Sequence, residues 1–243
     1  MTMTSIIIPT YNGRELLAAC IQSIRSSTSS PYELIVVDNG SVDGTAEYCR
    51  EEQLTYVGLP DNRGFPAACN IGLRLAKGSS LMLLNNDVVV TGGWLERLLE
   101  ALHSAPDIGI VGPCSNRVSG SQKVRLGYAS MEQFHCEAHR YMEARRGIRT
   151  ATRRLTGFCF LFRRELWERI GELDERFTPG YYEDDDYCYR ARRAGYRLLI
   201  ARDAYVHHIG SASFRRHSKR SKLLYINRRK FIRKWGVHPH RFI

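Results

Sequence analysis

The sequence predicts an α/β fold, a single domain with a mostly parallel central sheet and helices on its faces. Two observations lead there. Short apolar runs alternate with stretches whose apolar residues recur at helical spacing, as strands joined by crossover helices do. The 243 residues, 43% hydrophobic and 25% charged, suffice for one large α/β core and contain no repeat, low-complexity linker or clear boundary.

Taken in order, residues 5–9 (SIIIP) are strand-like, and 14–25 (RELLAACIQSIR) place apolar side chains on one helical face. Residues 32–38 (YELIVVD) form a second strand, 44–52 a helix and 55–59 a short strand. A helix over 65–78 is expected to close at Gly78, followed by a strand at 80–85 (SLMLLN). By architecture this is a nucleotide-binding half. Beyond it, 94–104 reads as a helix, 108–113 as a strand, 115–123 (SNRVSGSQK) as a mobile loop and 131–147 as a helix. Residues 158–171 (FCFLFRRELWERIG) run from strand into helix, and the basic segment 219–235 is expected to be helical.

Composition narrows the partners. The seven cysteines are scattered and form no CxxC pair, which suits a reducing cytoplasm. The N-terminus enters a strand directly without a basic leader, and no apolar run is long enough to span a membrane. A cytoplasmic chain with an optional peripheral contact on the cytoplasmic membrane face is expected. A net charge of +11 favours an anionic partner: nucleic acid, anionic lipid or a phosphorylated small molecule.

Four places carry candidate chemistry. Asp38 ends a strand where α/β sheets gather ligands, although a turn or capping role explains it equally well. Arg63 and Gly64 precede a helix N-terminus, a combination suited to a diphosphate and also common in plain loops. Asn85, Asn86 and Asp87 follow a strongly apolar strand and offer hard oxygen ligands for Mg²⁺ or Mn²⁺, with His208 as an imidazole that a structural role would also explain. The run of Glu183, Asp184, Asp185 and Asp186 concentrates acid in a basic protein.

Together, SIIIPTYNG, LIVVDNGSVDGT, DNRGFPAACNIGLRLAKG, LLNNDVVV, GFCFLFRRELWERIGELDERF, YYEDDDYCYRARRAGYRLLIA and VHHIGSAS resemble family two glycosyltransferases of the GT-A fold, over residues 4–214. The resemblance is to bacterial members, rhamnosyltransferase-like or acting on surface proteins or polysaccharides. It implies a GT-A domain over 1–215, Rossmann-like, with a basic helical C-terminal extension over 216–243. It implies an inverting, metal-dependent enzyme that moves a sugar from a UDP- or dTDP-linked donor to a glycan, lipid-linked or protein acceptor. Pro9, Tyr11 and Asp38 would hold the nucleoside, Arg63 and Gly64 lie near the diphosphate, and Asn86 lie near the ribose. Asp87 and His208 would hold Mn²⁺ or Mg²⁺, Asp184 would be the general base, and Glu183 would orient the acceptor. Asn85 departs from the family's usual aspartate, which lowers the expected metal affinity. Asp185 and Asp186 are expected to pair with Arg190 or Arg193. The rival readings are a basic nucleic-acid-binding module and a non-catalytic sugar-nucleotide binder. The basic residues lie outside the ordered motifs, so no nucleic acid is expected.

Overall fold

The computed structural model describes residues 3–210 and 220–239. The end of VHHIGSAS, the start of the basic segment and the expected 215/216 boundary lie outside the described residues.

The first half contains β1 (Thr4–Thr10), α1 (Arg14–Ser27), β2 (Tyr32–Asp38), α2 (Thr45–Glu51), β3 (Thr55–Gly58), α3 (Phe65–Leu75), β4 (Ser80–Leu84), β5 (Val88–Val89) and α4 (Trp94–Leu102). The second contains β6 (Ile108–Ser115), α5 (Met131–Glu143), β7 (Arg149–Thr152), β8 (Cys159–Arg163), α6 (Arg164–Ile170), α7 (Glu183–Arg193), β9 (Arg197–His208) and α8 (Arg220–Trp235). The sheet order is β3-β2-β1-β4-β8-β6-β9-β5, with β7 also on β9. From β3 to β9 every strand but β8 runs the same way, so the sheet is mostly parallel. β5 escapes the sequence reading because two residues show no period, and β7 because its four residues, RTAT, contain no apolar run.

Both sheet faces are covered, which explains the continuous apolar runs. On β1, Ile7 packs with Ile35 and Val37 of β2 against Ala68, Cys69 and Leu73 of α3. Ile6 and Ile8 turn to the opposite face, where they meet Leu17 and Ile21 of α1 and Leu98 of α4. All seven cysteines are free thiols; six are buried and Cys136 on α5 is exposed.

Two expectations need correction. Gly78 does not close α3, whose C-cap is Ala76. A Cβ at Gly78 would lie 2.5 Å from the Met3 carbonyl and 2.7 Å from the Ser5 nitrogen, so this glycine permits a close backbone approach to β1. The loop at 115–123 is tied down: it contains a 3₁₀ turn at Gly120–Gln122, and buried Gln122 donates to the Pro113 carbonyl at 2.9 Å.

The parallel register places the site. Thr10 pairs with Asp38 and Asp38 with Gly58, so β1, β2 and β3 end level with one another at one rim. β4 runs parallel to β1 and delivers Asn85, Asn86 and Asp87 to the same rim. α8 packs there too, through fully buried Phe231 and Asn227. Burial of a Phe side chain stabilises by about 1.5–3 kcal/mol.

Candidate active site

Beyond the strand ends lies a cavity of ≈ 890 Å³. Of the residues singled out in the sequence, Pro9, Tyr11, Asn85, Asn86, Asp87, Glu183, Asp184, Asp185 and His208 line it; Asp38, Arg63, Gly64 and Asp186 do not.

Asp38 is buried, and its oxygens are already engaged. Oδ1 accepts from the Ser41 N–H at 3.0 Å and from the Ser41 hydroxyl, while Oδ2 accepts from the Tyr56 hydroxyl at 3.0 Å. Its neighbour Asn39 reaches the cavity wall and clamps the following loop, accepting from the Arg63 N–H and donating to the Gly64 carbonyl, each at 3.3 Å. The Asn39-Gly40 pair reads as a turn signal, which hides this role in the sequence. The Arg63 side chain is exposed. Gly64 has φ +89°, and a Cβ there would lie 2.7 Å from Thr178 Cγ2. The first N–H of α3, from Phe65, donates to the Pro179 carbonyl at 3.0 Å, and the next residue is a proline without one. Segment 178–179 therefore covers part of the helix terminus that the sequence offers as open.

Asn86 Nδ2 donates to Thr10 Oγ1 at 2.8 Å, tying the loop after β4 to the end of β1. Asp87 immediately precedes β5, whose Val88 pairs with His208, and the Asp87 carbonyl accepts from Ile209 N–H at 3.0 Å. This short ladder brings His208 Nε2 within 3.1 Å of Asp87 Oδ1. His208 Nδ1 lies 2.8 Å from the Arg117 carbonyl and must donate to it, so in a neutral ring Nε2 carries a lone pair. That lone pair and a carboxylate oxygen face one another; the contact has ion-pair distance, yet Nε2 makes no hydrogen bond. Two converging acceptors call for a proton or a cation between them. The residues fit a divalent ion held by one carboxylate and one imidazole, with the remaining ligands from elsewhere, because the described residues hold no cluster of three or more His, Cys, Asp or Glu suited to a metal. The His208 ring is stacked on Phe158 at 5.2 Å and 14°. His207 turns to the other face, where Tyr128 and Phe134 surround it; burial and then the neighbouring His208 keep its pKa low.

The acidic run opens α7 with all four carboxylates buried, and Glu183, Asp184 and Asp185 line the same cavity. Asp184 Oδ2 accepts from Gly157 N–H at 3.0 Å and Oδ1 from Asp185 N–H at 2.9 Å, which fixes its orientation. A Cβ at Gly157 would sit 3.3 Å from Asp184 Cβ. Glu183 differs, for its Oε2 is buried without a partner. Burial, and then the charge of Asp184, raise its pKa well above the usual glutamate range. Asp186 pairs with Arg190 at 2.9 Å, as expected from i,i+4 spacing. Asp185 instead pairs with Arg154, whose Nε bonds its Oδ1. The expected partners lie elsewhere: Arg190 is occupied by Asp186, and Arg193 lies over the Trp235 ring at 5.4 Å. Arg154 is 31 residues away in sequence, and no local spacing announces it.

The family profile described as "Glycosyl transferase family 2" matches residues 5–171. "Glycosyltransferase AglE" of Haloferax volcanii is 29% identical over 212 residues, 84% of this chain and 66% of that protein. "Chondroitin synthase" of Escherichia coli is 26% identical over 236 residues, 84% of this chain and 34% of that protein. Among solved structures, a mannosyltransferase from Pyrobaculum calidifontis in complex with GDP-Man and Mn²⁺ matches 95% of this chain and 64% of its own, with TM-score 0.67 and 24% identity. GalNAc-T7 with UDP, GalNAc and Mn²⁺ matches 85% of this chain and 44% of its own, with TM-score 0.68 and 17% identity. The chain thus spans between a third and two thirds of the length of these proteins. The structural likeness shows that the fold is GT-A.

Proposed function

Because the chain belongs to glycosyl transferase family 2, we propose that it transfers a sugar, with inversion, from a UDP- or dTDP-linked donor to a hydroxyl of a glycan, lipid-linked or protein acceptor. The observation that carries this reading is one cavity walled by the Asp87–His208 contact at the strand ends and by the buried Glu183–Asp184 pair of α7, with the consecutive residues Gly157 and Phe158 touching Asp184 and His208.

On the first wall, Asp87 and His208 would hold Mn²⁺ or Mg²⁺, and such an ion supplies charge neutralisation for a departing diphosphate. Pro9, Tyr11 and Asn86 form the adjoining shelf for the nucleoside and ribose. Asp38 acts behind them, holding Ser41 and Tyr56 with three of its four lone pairs and leaving one on Oδ2 for a base. Arg63 and Gly64 belong to the loop that Asn39 clamps, within the diphosphate end of the reading.

On the second wall, Asp184 takes the acceptor's proton as the acceptor oxygen attacks the anomeric carbon. Two backbone donors keep that carboxylate aimed, and burial, then the charge of Asp184, favour the protonated form of the adjacent Glu183 more than that of an exposed glutamate. Attack on the face of the anomeric carbon away from the departing diphosphate inverts that centre.

We also propose a peripheral contact with anionic lipid through α8. Tyr225 and Ile226 are exposed there, between Lys222 and Arg229 on the same solvent-facing stripe.

The decisive experiment measures nucleoside diphosphate release from a panel of UDP-, dTDP- and GDP-sugars, with and without EDTA. Release from a pyrimidine donor, abolished by EDTA and restored by Mn²⁺ or Mg²⁺, is expected. Release only from GDP-sugars would overturn the donor assignment, and full activity in EDTA would overturn the metal role.

A further inference from the structure

We infer that Asn227, on the basic C-terminal helix, is a positioning residue for the catalytic carboxylates: it holds the backbone turn from which Glu183 and Asp184 enter the cavity. The inference rests on the transferase reading above and adds to it a residue far outside the matched family region, 5–171.

The turn needs holding. Tyr181 and Tyr182, at φ +72° and +77°, are consecutive non-glycine residues in the left-handed region. Side chains with a Cβ occupy that region at a cost, and two in succession persist only where the surroundings over-determine them. Tyr182 is the N-cap of α7, and the next two residues are the carboxylates. Its side chain makes no capping hydrogen bond. Local sequence therefore gives this turn little reason to form.

Asn227 supplies the reason from 46 residues away. Its Nδ2 faces three carbonyl oxygens of the segment, Phe177 at 2.8 Å, Gly180 at 2.9 Å and Tyr181 at 3.2 Å, which its two N–H groups share. Asn227 is fully buried, and its Oδ1 has no partner. A buried unsatisfied acceptor is unfavourable, so packing alone is better served by a leucine of similar shape. What the amide adds is donation to these carbonyls. Further contacts on α8 keep the amide in place: Phe231 packs against Tyr182 and Tyr189, and both Lys234 Nζ and Trp235 Nε1 reach Asp186 Oδ1, at 2.6 and 2.8 Å.

Two substitutions separate positioning from simple helix docking. Asn227→Leu keeps the bulk and removes the donors; Lys230→Met removes another tie of the same helix, its hydrogen bond to the Arg176 carbonyl, and leaves the amide and Phe231 intact. With Asn227→Leu, turnover should fall by about 10²-fold, the scale of a misplacement near 1 Å, while the donor KM stays unchanged. Asn227→Gln, which retains the donors on a longer arm, should recover part of the loss. Lys230→Met should keep the parent's turnover and leave exchange at 180–186 unchanged, whatever it costs in melting temperature. Hydrogen exchange gives a readout independent of activity: amides of 180–186 should exchange faster in Asn227→Leu while those of α8 stay protected. Unchanged exchange at 180–186 overturns the inference whether or not the parent is a transferase. Turnover within about threefold of the parent, against the expected 10²-fold fall, overturns it as well. A parent without transfer from any donor, together with faster exchange at 180–186, defeats the transferase reading and supports the hold on the turn.

Discussion

At the scale of single residues, the two neighbouring carboxylates separate cleanly. Asp184→Asn retains size, but one amide oxygen cannot satisfy both backbone donors that now bind two carboxylate oxygens. Turnover should fall by about 10²–10⁴-fold in single-turnover transfer, with donor binding preserved by calorimetry. Asp185→Asn should show the opposite balance. It breaks a buried ion pair and leaves the Arg154 charge without its partner, so about 3–5 kcal/mol of stability should go while turnover at low temperature survives. Glu183 and Asp185 share the pH dependence, since burial and then the charge of Asp184 push both pKa values up, that of Asp185 to about 7, and Glu183 is the member without an ion-pair partner. Its folded pKa is raised, so the folded state holds the proton more tightly than the unfolded chain, and the stability this confers is lost as pH rises from about 4.3 through the folded value. Glu183→Gln cannot titrate, so its melting temperature should decline less than the parent's between mildly acidic and alkaline pH. A steeper decline in the variant would contradict the sign. In the sequence, Asp87, Glu183, Asp184 and His208 stood out because strand ends and a charge run are local signals. Asn39, Arg154, Phe158 and Asn227 did not, because each acts through a contact made by the fold.

At the scale of elements, most strands of five or more residues and most helices are visible in the sequence, since an apolar run or a helical period needs that length to show; β9 and α7 are met only as motifs, the one ending in His208 and the other carrying the acidic run. Glycines were harder to interpret. Gly72 sits within α3 and reads as an indifferent helical position. A Cβ there would lie 2.3 Å from Ile7 Cγ2 and 3.2 Å from Val37 Cγ2, so the helix rests on the sheet through this gap. Gly72→Ala gains about 1 kcal/mol of helix propensity. Overpacking costs about 1–3 kcal/mol, and so close a contact falls at the upper end. The net should be a loss, read as a lower urea midpoint with an unchanged m-value; a more stable variant would show that α3 can lift from the sheet. The close approach at Gly78 was likewise hidden, because a glycine after a helical pattern carries the same signature as a C-cap.

At the scale of the whole molecule, the charge of +11 distinguishes two kinds of basic residue. Arg154, Arg190 and Lys234 are spent on buried or half-buried carboxylates. On α8, Lys222, Arg229 and Arg233 remain on the outer stripe with Tyr225 and Ile226. Sedimentation with anionic vesicles should pull the protein down at low salt and release it as ionic strength rises. Arg229→Glu with Arg233→Glu should abolish that binding without changing the melting temperature by more than a few degrees. Equal binding by this variant would remove the lipid contact from the reading. Lys230 makes a poorer probe, because its Nζ donates to the Arg176 carbonyl at 2.6 Å.

The cysteine distribution makes the protein convenient to observe. Six thiols lie within the core, and Cys136 stands at the surface of α5. A maleimide dye added to the native protein therefore finds one address, on the helix that packs against β9, the strand ending in His208. One fluorophore per chain comes without engineering, and denaturant that exposes the other six turns the same reagent into a counter of unfolded molecules.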